Sequence, residues 1–307
     1  MGAASHPLWP KECRSLITRR RLLQTAACAI GASFATASYA VALEPGFLLT
    51  VQDYHLSLPG WGARPPMSIC VMADLHAGEP WMSLARVRRI VAAANALAPD
   101  LHVVLGDLPA HYAFVTQRVP MHDVAAALAE LSAPLGCHAV LGNHDWWDDP
   151  AAMRMRRGMP MIRKLLEDAG ISVLANTALR LPHGAGVWLL GTDSMLAFGR
   201  RQPGADNLRA AMLPLVDDAP AILLAHEPDM FPGVPDRIAL TLSGHTHGGQ
   251  VRMLGYSAVV PSRYGNRYAY GLVEEAGRRL VVSGGLGCSM VPVRLGVPPE
   301  LTVIHLS

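Results

Sequence analysis

Short apolar runs recur along the chain, and five of them end at residues able to bind a cation or carry a proton. Residues 68–73 lead into Asp74-Leu75-His76, 101–105 into Gly106-Asp107, and 137–141 into Gly142-Asn143-His144-Asp145. Residues 221–225 run into His226-Glu227-Pro228, and 238–242 into Ser243-Gly244-His245-Thr246-His247-Gly248-Gly249-Gln250. Runs of this length between turn formers predict buried strands. Between the first three the period lengthens. Residues 83–97 carry apolar positions at helical spacing behind Ser83 as N-cap, and 121–131 repeat that pattern before Pro134-Leu135-Gly136. Strand, helix, strand, helix, strand is the grammar of a mostly parallel α/β sheet, which collects ligands at the carboxyl ends of its strands. A further strand is predicted within 47–58. The second half is richer in strands, near 187–190, 222–224, 238–242, 268–273, 280–283 and 301–306.

His245 and His247 sit one residue apart in a glycine-rich turn. On an extended backbone, residues of equal parity face one side, so both rings are expected to converge on one object, with a metal ion as the candidate. Any one of the five turns, taken alone, is more simply a cap or a solvated loop. Five in succession at strand ends point to a site.

A chain of 307 residues, 51% hydrophobic and 16% charged, can bury a sizeable core without disulfide support. Cys13, Cys28, Cys70, Cys137 and Cys288 show no paired spacing, and Cys70 and Cys137 fall in predicted core strands. The net charge of +2 conceals an asymmetry: Lys11, Arg14, Arg19, Arg20 and Arg21 against Glu12 give residues 1–40 a charge of +4, which leaves −2 for the remainder. A mildly acidic body argues against a protein that coats nucleic acid.

Residues 1–42 read as a targeting segment and 43–307 as the functional domain. Thr18-Arg19-Arg20-Arg21-Leu22-Leu23 has the twin-arginine form, and 22–42 form an uncharged, alanine-rich stretch of roughly membrane-spanning length. Ser38-Tyr39-Ala40 offers a cleavage site. The expectations are engagement of the twin-arginine export machinery and a domain that is either periplasmic or anchored to the inner membrane on its outer side. That route carries folded domains, so the metals would be acquired in the cytoplasm.

The series Asp-x-His, Gly-Asp, Gly-Asn-His-Asp, a lone His and Gly-His-x-His resembles the calcineurin-like metallophosphoesterases over about residues 65–307. Gly244-His245-Thr246-His247-Gly248-Gly249-Gln250, Tyr270-Gly271 and Ser283-Gly284-Gly285-Leu286-Gly287 resemble the bacterial exported or membrane-anchored branch, some of whose members are UDP-2,3-diacylglucosamine pyrophosphatases. The resemblance implies two packed sheets flanked by helices, and two divalent transition metal ions, Mn, Fe or Zn, holding a hydroxide for in-line attack on phosphorus. Asp74, His76 and His247 would bind the first ion, Asn143, His226 and His245 the second, and Asp107 both. His144 would protonate the leaving group, and Asp145 would orient the ligands or their loop. One departure stands out: many relatives place an aspartate three residues after the bridging one to orient the motif histidine, and this chain has Ala110.

Specificity must come from around that centre. Trp81, Met82, Trp146 and Trp147 follow the motifs closely, and residues 153–161 interleave methionines with Arg154, Arg156 and Arg157. An apolar rim with arginines would suit an amphiphilic phosphate ester at a membrane, although helix packing and a solvated basic turn explain the methionine segment as well. Trp146, Arg263 and Arg267 are candidates for gripping the substrate, a phosphorylated small molecule or lipid. The expected activity is hydrolysis of a phosphodiester or pyrophosphate bond. A phosphomonoesterase or a nuclease could use the same residues, and a binding module that had lost catalysis would be expected to show broken motifs.

Overall fold

Alternate residues of the apolar runs part to opposite faces of their strands, and that division builds the body of the protein in layers. A computed structural model describes residues 19–182 and 186–307. Cys13 and the start of the twin-arginine segment lie outside the described residues. The chain divides into one compact unit ending at Tyr39 and a second unit, Ala40–Ser307.

In the larger unit, one six-stranded sheet has the order Thr50–Leu56, Glu300–Leu306, Met67–Met72, Leu101–Val104, Cys137–Ala139, Ser172–Val173. Its last three junctions, starting from Met67–Met72, are parallel, while Glu300–Leu306 runs antiparallel to Met67–Met72. The second sheet has the order Gly271–Glu275, Arg278–Val282, Leu240–Ser243, Ala221–Leu224, Trp188–Gly191, Thr177–Arg180, parallel in its interior and antiparallel at both edges. Ile69, Val71 and Val103 from the first sheet meet Leu189, Ile222, Leu224, Leu240 and Leu242 from the second in a shared core. Cys70, Met72 and Val104 face the other way, against the helices Leu84–Ala96, Met121–Leu128 and Met161–Asp168. The outer face of the second sheet is covered by Ala211, Phe231 and Tyr268. The chain is thus an α/β fold of two packed sheets with helices outside.

The expected helix behind Ser83 spans Leu84–Ala96, and the Ser83 hydroxyl accepts the Arg86 N–H. Cys70 and Cys288 are buried as free thiols. Missing from the sequence reading were the short edge strands Ser172–Val173 and Thr177–Arg180, too brief to carry a period, and the helix Met161–Asp168, which buries only Ile162 and Leu166.

The smaller unit contributes the helix Arg19–Ser38, all of whose side chains are exposed. Counted through the following helical turns, Arg19–Phe47 is long and apolar enough to cross a membrane. Where the larger unit begins, Ala40 is buried and its carbonyl accepts the Arg294 N–H at 2.9 Å. Glu44 is buried too and accepts the Val297 N–H at 2.9 Å.

Candidate metal centre

Five site residues hold left-handed backbone: Asp74 (φ 55°), His76 (45°), Asp107 (55°), His245 (69°) and His247 (52°). Each costs a non-glycine residue about 1–3 kcal/mol, which the surrounding fold has to offset. This corrects the expectation drawn from strand alternation. The strand Leu240–Ser243 ends before the motif, and the two rings then diverge: His247 joins Asp74 and His76, while His245 joins Asp107 and His226. Two glycines permit the crowding. A Cβ on Gly106 would lie 2.1 Å from Gly142 N, and one on Gly142 would lie 2.2 Å from Asp107 Oδ1.

Four imidazoles are tied by one nitrogen to a main-chain carbonyl. His76 Nδ1 lies 3.1 Å from Pro109 O, His226 Nδ1 2.6 Å from Leu105 O, His245 Nε2 3.0 Å from Pro261 O, and His247 Nδ1 3.3 Å from Gly287 O. A carbonyl only accepts, so the tied nitrogens of His76, His226 and His245 carry a proton, and burial, which keeps His76 and His245 neutral, leaves the other nitrogen of those two rings a bare lone pair; His247 Nδ1 also has the Arg294 guanidinium at 3.3 Å. The free nitrogens of His76 and His247 face each other at 3.1 Å, each 3.7 Å from a carboxylate oxygen, Asp107 Oδ2 and Asp74 Oδ1 respectively. Two imidazole nitrogens this close, each beside a carboxylate, form a set of donors that a cation could join.

On the other side, His226 Nε2 faces Asp107 Oδ2 at 3.2 Å, and among the described residues the buried atoms Asn143 Oδ1 and His245 Nδ1 have no hydrogen-bond partner. Buried polar atoms without partners are costly, and an amide oxygen and an imidazole nitrogen are types that ligate metals. The donor atoms of Asp74, His76 and His247 lie within 4.8 Å of one another, as do those of Asp107, His226 and His245. Asp107 faces both groups. The residues therefore fit a pair of divalent ions, and a set of carboxylate, imidazole and one amide oxygen suits Mn, Fe or Zn.

Burial sets most of the charge states. It pushes His76 and His245 down to about 3 and Asp74 up to about 7. Burial would raise Asp107 as well, but the imidazoles of His226 and His144 overcome it and hold that carboxyl well below its usual range. Asp145 orders the loops: its carboxylate accepts the N–H groups of Asp107 at 2.8 Å, Leu108 at 3.0 Å and Gly142 at 2.8 Å. Asp74 similarly accepts His245 N–H at 3.0 Å.

His144 has donor atoms within 4.8 Å of those of His76 and Asp107, but among the described residues no main-chain carbonyl tethers its ring. Its N–H donates to Asp107 Oδ1, its ring packs edge-on to His76 and against Trp147, and Nδ1 has no partner. Where Ala110 leaves no carboxylate, the next residue, His111, stacks on His144 with centroids 5.9 Å apart and pairs with Asp148 at 2.8 Å. Sequence reasoning overlooked His111, although it lies only four residues past Asp107.

A cavity of about 690 Å³ opens over the centre, lined by Asp107, Asn143, His144, His245 and His247 on its floor and by Trp147, Leu196, Val259, Met290 and Val291 on its walls. Two substrate candidates are corrected here. Trp146 turns into the core, where its indole N–H donates to Asp193 at 2.6 Å and its ring meets Phe198, so Trp147 is the tryptophan that lines the cavity. Arg267 is exposed, held by both oxygens of Glu275, and lines neither this cavity nor its neighbour. Arg263 lines the neighbouring cavity of about 430 Å³ with Glu227 and His245, while its side chain pairs with Asp229. Arg294, the first residue of the C-terminal stretch 294–306 that also carries the family resemblance but to which the sequence assigns no role, is fully buried, donates to the carbonyls of Gly284, Gly287 and Val297 and faces the His247 ring.

Residues 67–249 match the family profile of calcineurin-like phosphoesterases. The chain is 28% identical over 300 residues to the metallophosphoesterase YkuE of Bacillus subtilis, covering 94% of this chain and 98% of that protein. To the phosphodiesterase YaeI of Escherichia coli it is 29% identical over 297 residues, covering 95% and 100%. A transmembrane protein with metallophosphoesterase domain from Danio rerio is 30% identical over 250 residues, covering 78% of this chain and 53% of that protein, so the chain spans about half of that relative's length.

Proposed function

The chain belongs to the calcineurin-like phosphoesterases, and from that premise we propose that it hydrolyses a phosphodiester or pyrophosphate bond, from a body held at a membrane on the outer side. The observation that carries the hydrolytic reading is the set of bare imidazole nitrogens and carboxylates converging under the cavity, with Asp107 facing both groups. Divalent ions bound there would supply Lewis acidity and an activated water to the phosphoryl group. Asp74, His76 and His247 would hold one, Asn143, His226 and His245 the other, and Asp107 both.

The protein's own groups do the rest. His144 donates a proton to the leaving oxygen. Burial lowers its pKa, and an anionic phosphate facing Nδ1 raises it again, so the ring takes up its proton as substrate arrives. Asp145 positions the Asp107 loop through its three backbone hydrogen bonds. The apolar wall of Trp147, Leu196, Val259 and Met290, with Arg200 beside it, suits a substrate that joins phosphate to an apolar group, such as a nucleotide-linked lipid. The similarity to a phosphodiesterase of Escherichia coli supports the diester.

Arg19-Arg20-Arg21 followed by an apolar helix supports twin-arginine export. Burial of Ala40 and its bond to Arg294 favour retention of that helix as an anchor over cleavage after Ala40, because a peptidase needs an accessible, extended site and this export route delivers the body folded.

The test is elemental analysis of the purified full chain, paired with turnover of bis-p-nitrophenyl phosphate and p-nitrophenyl phosphate before and after chelation. Nearly two ions per chain, with diester turnover lost on chelation and restored by Mn or Zn, is the expected result. Preference for the monoester overturns the bond assignment, and a metal-free chain that stays inactive on reconstitution overturns hydrolysis altogether.

A further inference from the structure

The mouth of the cavity carries a cluster of exposed apolar side chains. Loop 251–259 presents Val251, Met253, Leu254, Tyr256 and Val259 to solvent, with Leu254 fully exposed, and Met290 and Val291 stand exposed on a second loop. The two loops are stitched together: Arg252 N–H donates to Leu295 O at 2.8 Å, and the Gln250 amide donates to Val291 O at 3.0 Å and Val293 O at 3.1 Å. Val251, Val259, Met290 and Val291 also line the cavity, so its wall is continuous with the outer cluster.

Two observations say what covers this surface. The first is where the tether enters. Arg294, next to the second loop, gives its N–H to Ala40 O, so the larger unit, which follows the membrane-length helix in the chain, begins within a few residues of the cluster. The second is charge. Between 250 and 270 the chain has Arg252, Arg263 and Arg267 and no aspartate or glutamate, although the body as a whole is acidic. Arg263 and Arg267 are paired with carboxylates from outside that stretch, whereas Arg252 lies over the Tyr270 ring at the edge of the cluster. Apolar tips with an arginine at their edge and no carboxylate among them suit an anionic lipid surface.

We propose that loop 251–259 and Met290–Val291 rest on the bilayer that the N-terminal helix enters, so that the cavity opens at the level of the lipid headgroups. The proposal rests on the anchored reading given above. A phosphoester whose apolar part stays in the bilayer then reaches the metal ligands without leaving the membrane surface. Soluble esters reach the same floor from the aqueous side.

Native methionines make the surface testable without an activity assay. The full chain is reconstituted in phosphatidylethanolamine–phosphatidylglycerol vesicles, collected by flotation and exposed briefly to hydroxyl radicals, and sulfoxides are mapped by mass spectrometry. Met253 and Met290 are as exposed as Met155, Met159 and Met161, so they serve as probe and control. Oxidation of Met253 and Met290 several-fold slower than the control set is the expected result. In Met253→Asp/Leu254→Asp, Met290 should rise to the control rate while turnover of the soluble diester stays unchanged. A chain that floats with the vesicles but oxidises both sets equally overturns the surface and leaves the anchor standing. A chain that does not float overturns both. Protection that appears only at high protein-to-lipid ratio identifies a second copy of the chain as the cover, and also overturns the proposal.

Discussion

The floor of the cavity and its rim are built on opposite terms. On the floor almost every degree of freedom is used: left-handed backbone at five residues, glycines with no room for a Cβ, rings tied to carbonyls, and Asp145 closing three backbone N–H groups. On the rim, the loops are held by backbone bonds, but the side chains of Met253, Leu254, Tyr256 and Met290 project into solvent. The difference separates chemistry from selection. A floor so constrained admits few substitutions, while the rim can change its ligand without disturbing the donors below.

The largest effect expected is at the shared carboxylate. Asp107→Asn should bring turnover to the uncatalysed background and remove metal from both clusters, as read by elemental analysis; retention of both ions would break the picture of a shared ligand. Next is His144→Ala, expected to lower kcat by about 10²–10⁴-fold with metal content intact. Metal loss in that variant would move His144 from proton transfer to the scaffold.

Acid should act on the floor through Asp74. Burial raises its pKa to about 7, so in the metal-free protein it carries a proton below that pH and must release it to ligate. Affinity for the first ion should therefore fall about tenfold per pH unit below about 7 and level off above it. His76, held near 3 by burial, adds no proton competition in that window. Calorimetric titration between pH 6 and 8 checks this, and a flat profile contradicts it. The smallest effects belong to the periphery. Trp147→Ala should raise KM for an amphiphilic diester by several-fold with little change in kcat, whereas Arg267→Ala, bound up with Glu275, should leave both within about twofold.

The same contrast governs how much could be read from the amino acids alone. Each floor residue sits directly after a buried apolar run, so the strand places it and the motif names it; Asp74, Asp107, Asn143 and His226 were legible for that reason. That His245 and His247 belong to the site was legible, but not that their rings part to different clusters, because positive φ in non-glycine residues leaves no mark in a hydrophobic pattern. The rim was read less well. Trp146 and Trp147 are identical in type and adjacent, and only the helix Asn143–Trp147 decides which faces Asp193 and which faces the cavity. Arg267 looked available because Glu275, its partner, arrives from a neighbouring strand. Edge strands such as Ser172–Val173 depend on pairing partners rather than on their own residues.

Arg294 joins two parts of the molecule that otherwise have little in common. Its backbone N–H holds Ala40, the first residue of the larger unit, and its guanidinium faces the ring of His247. A shift of the main chain at 294 is therefore felt in two distant stretches of sequence at once, the opening of the larger unit and the ring of a candidate metal ligand.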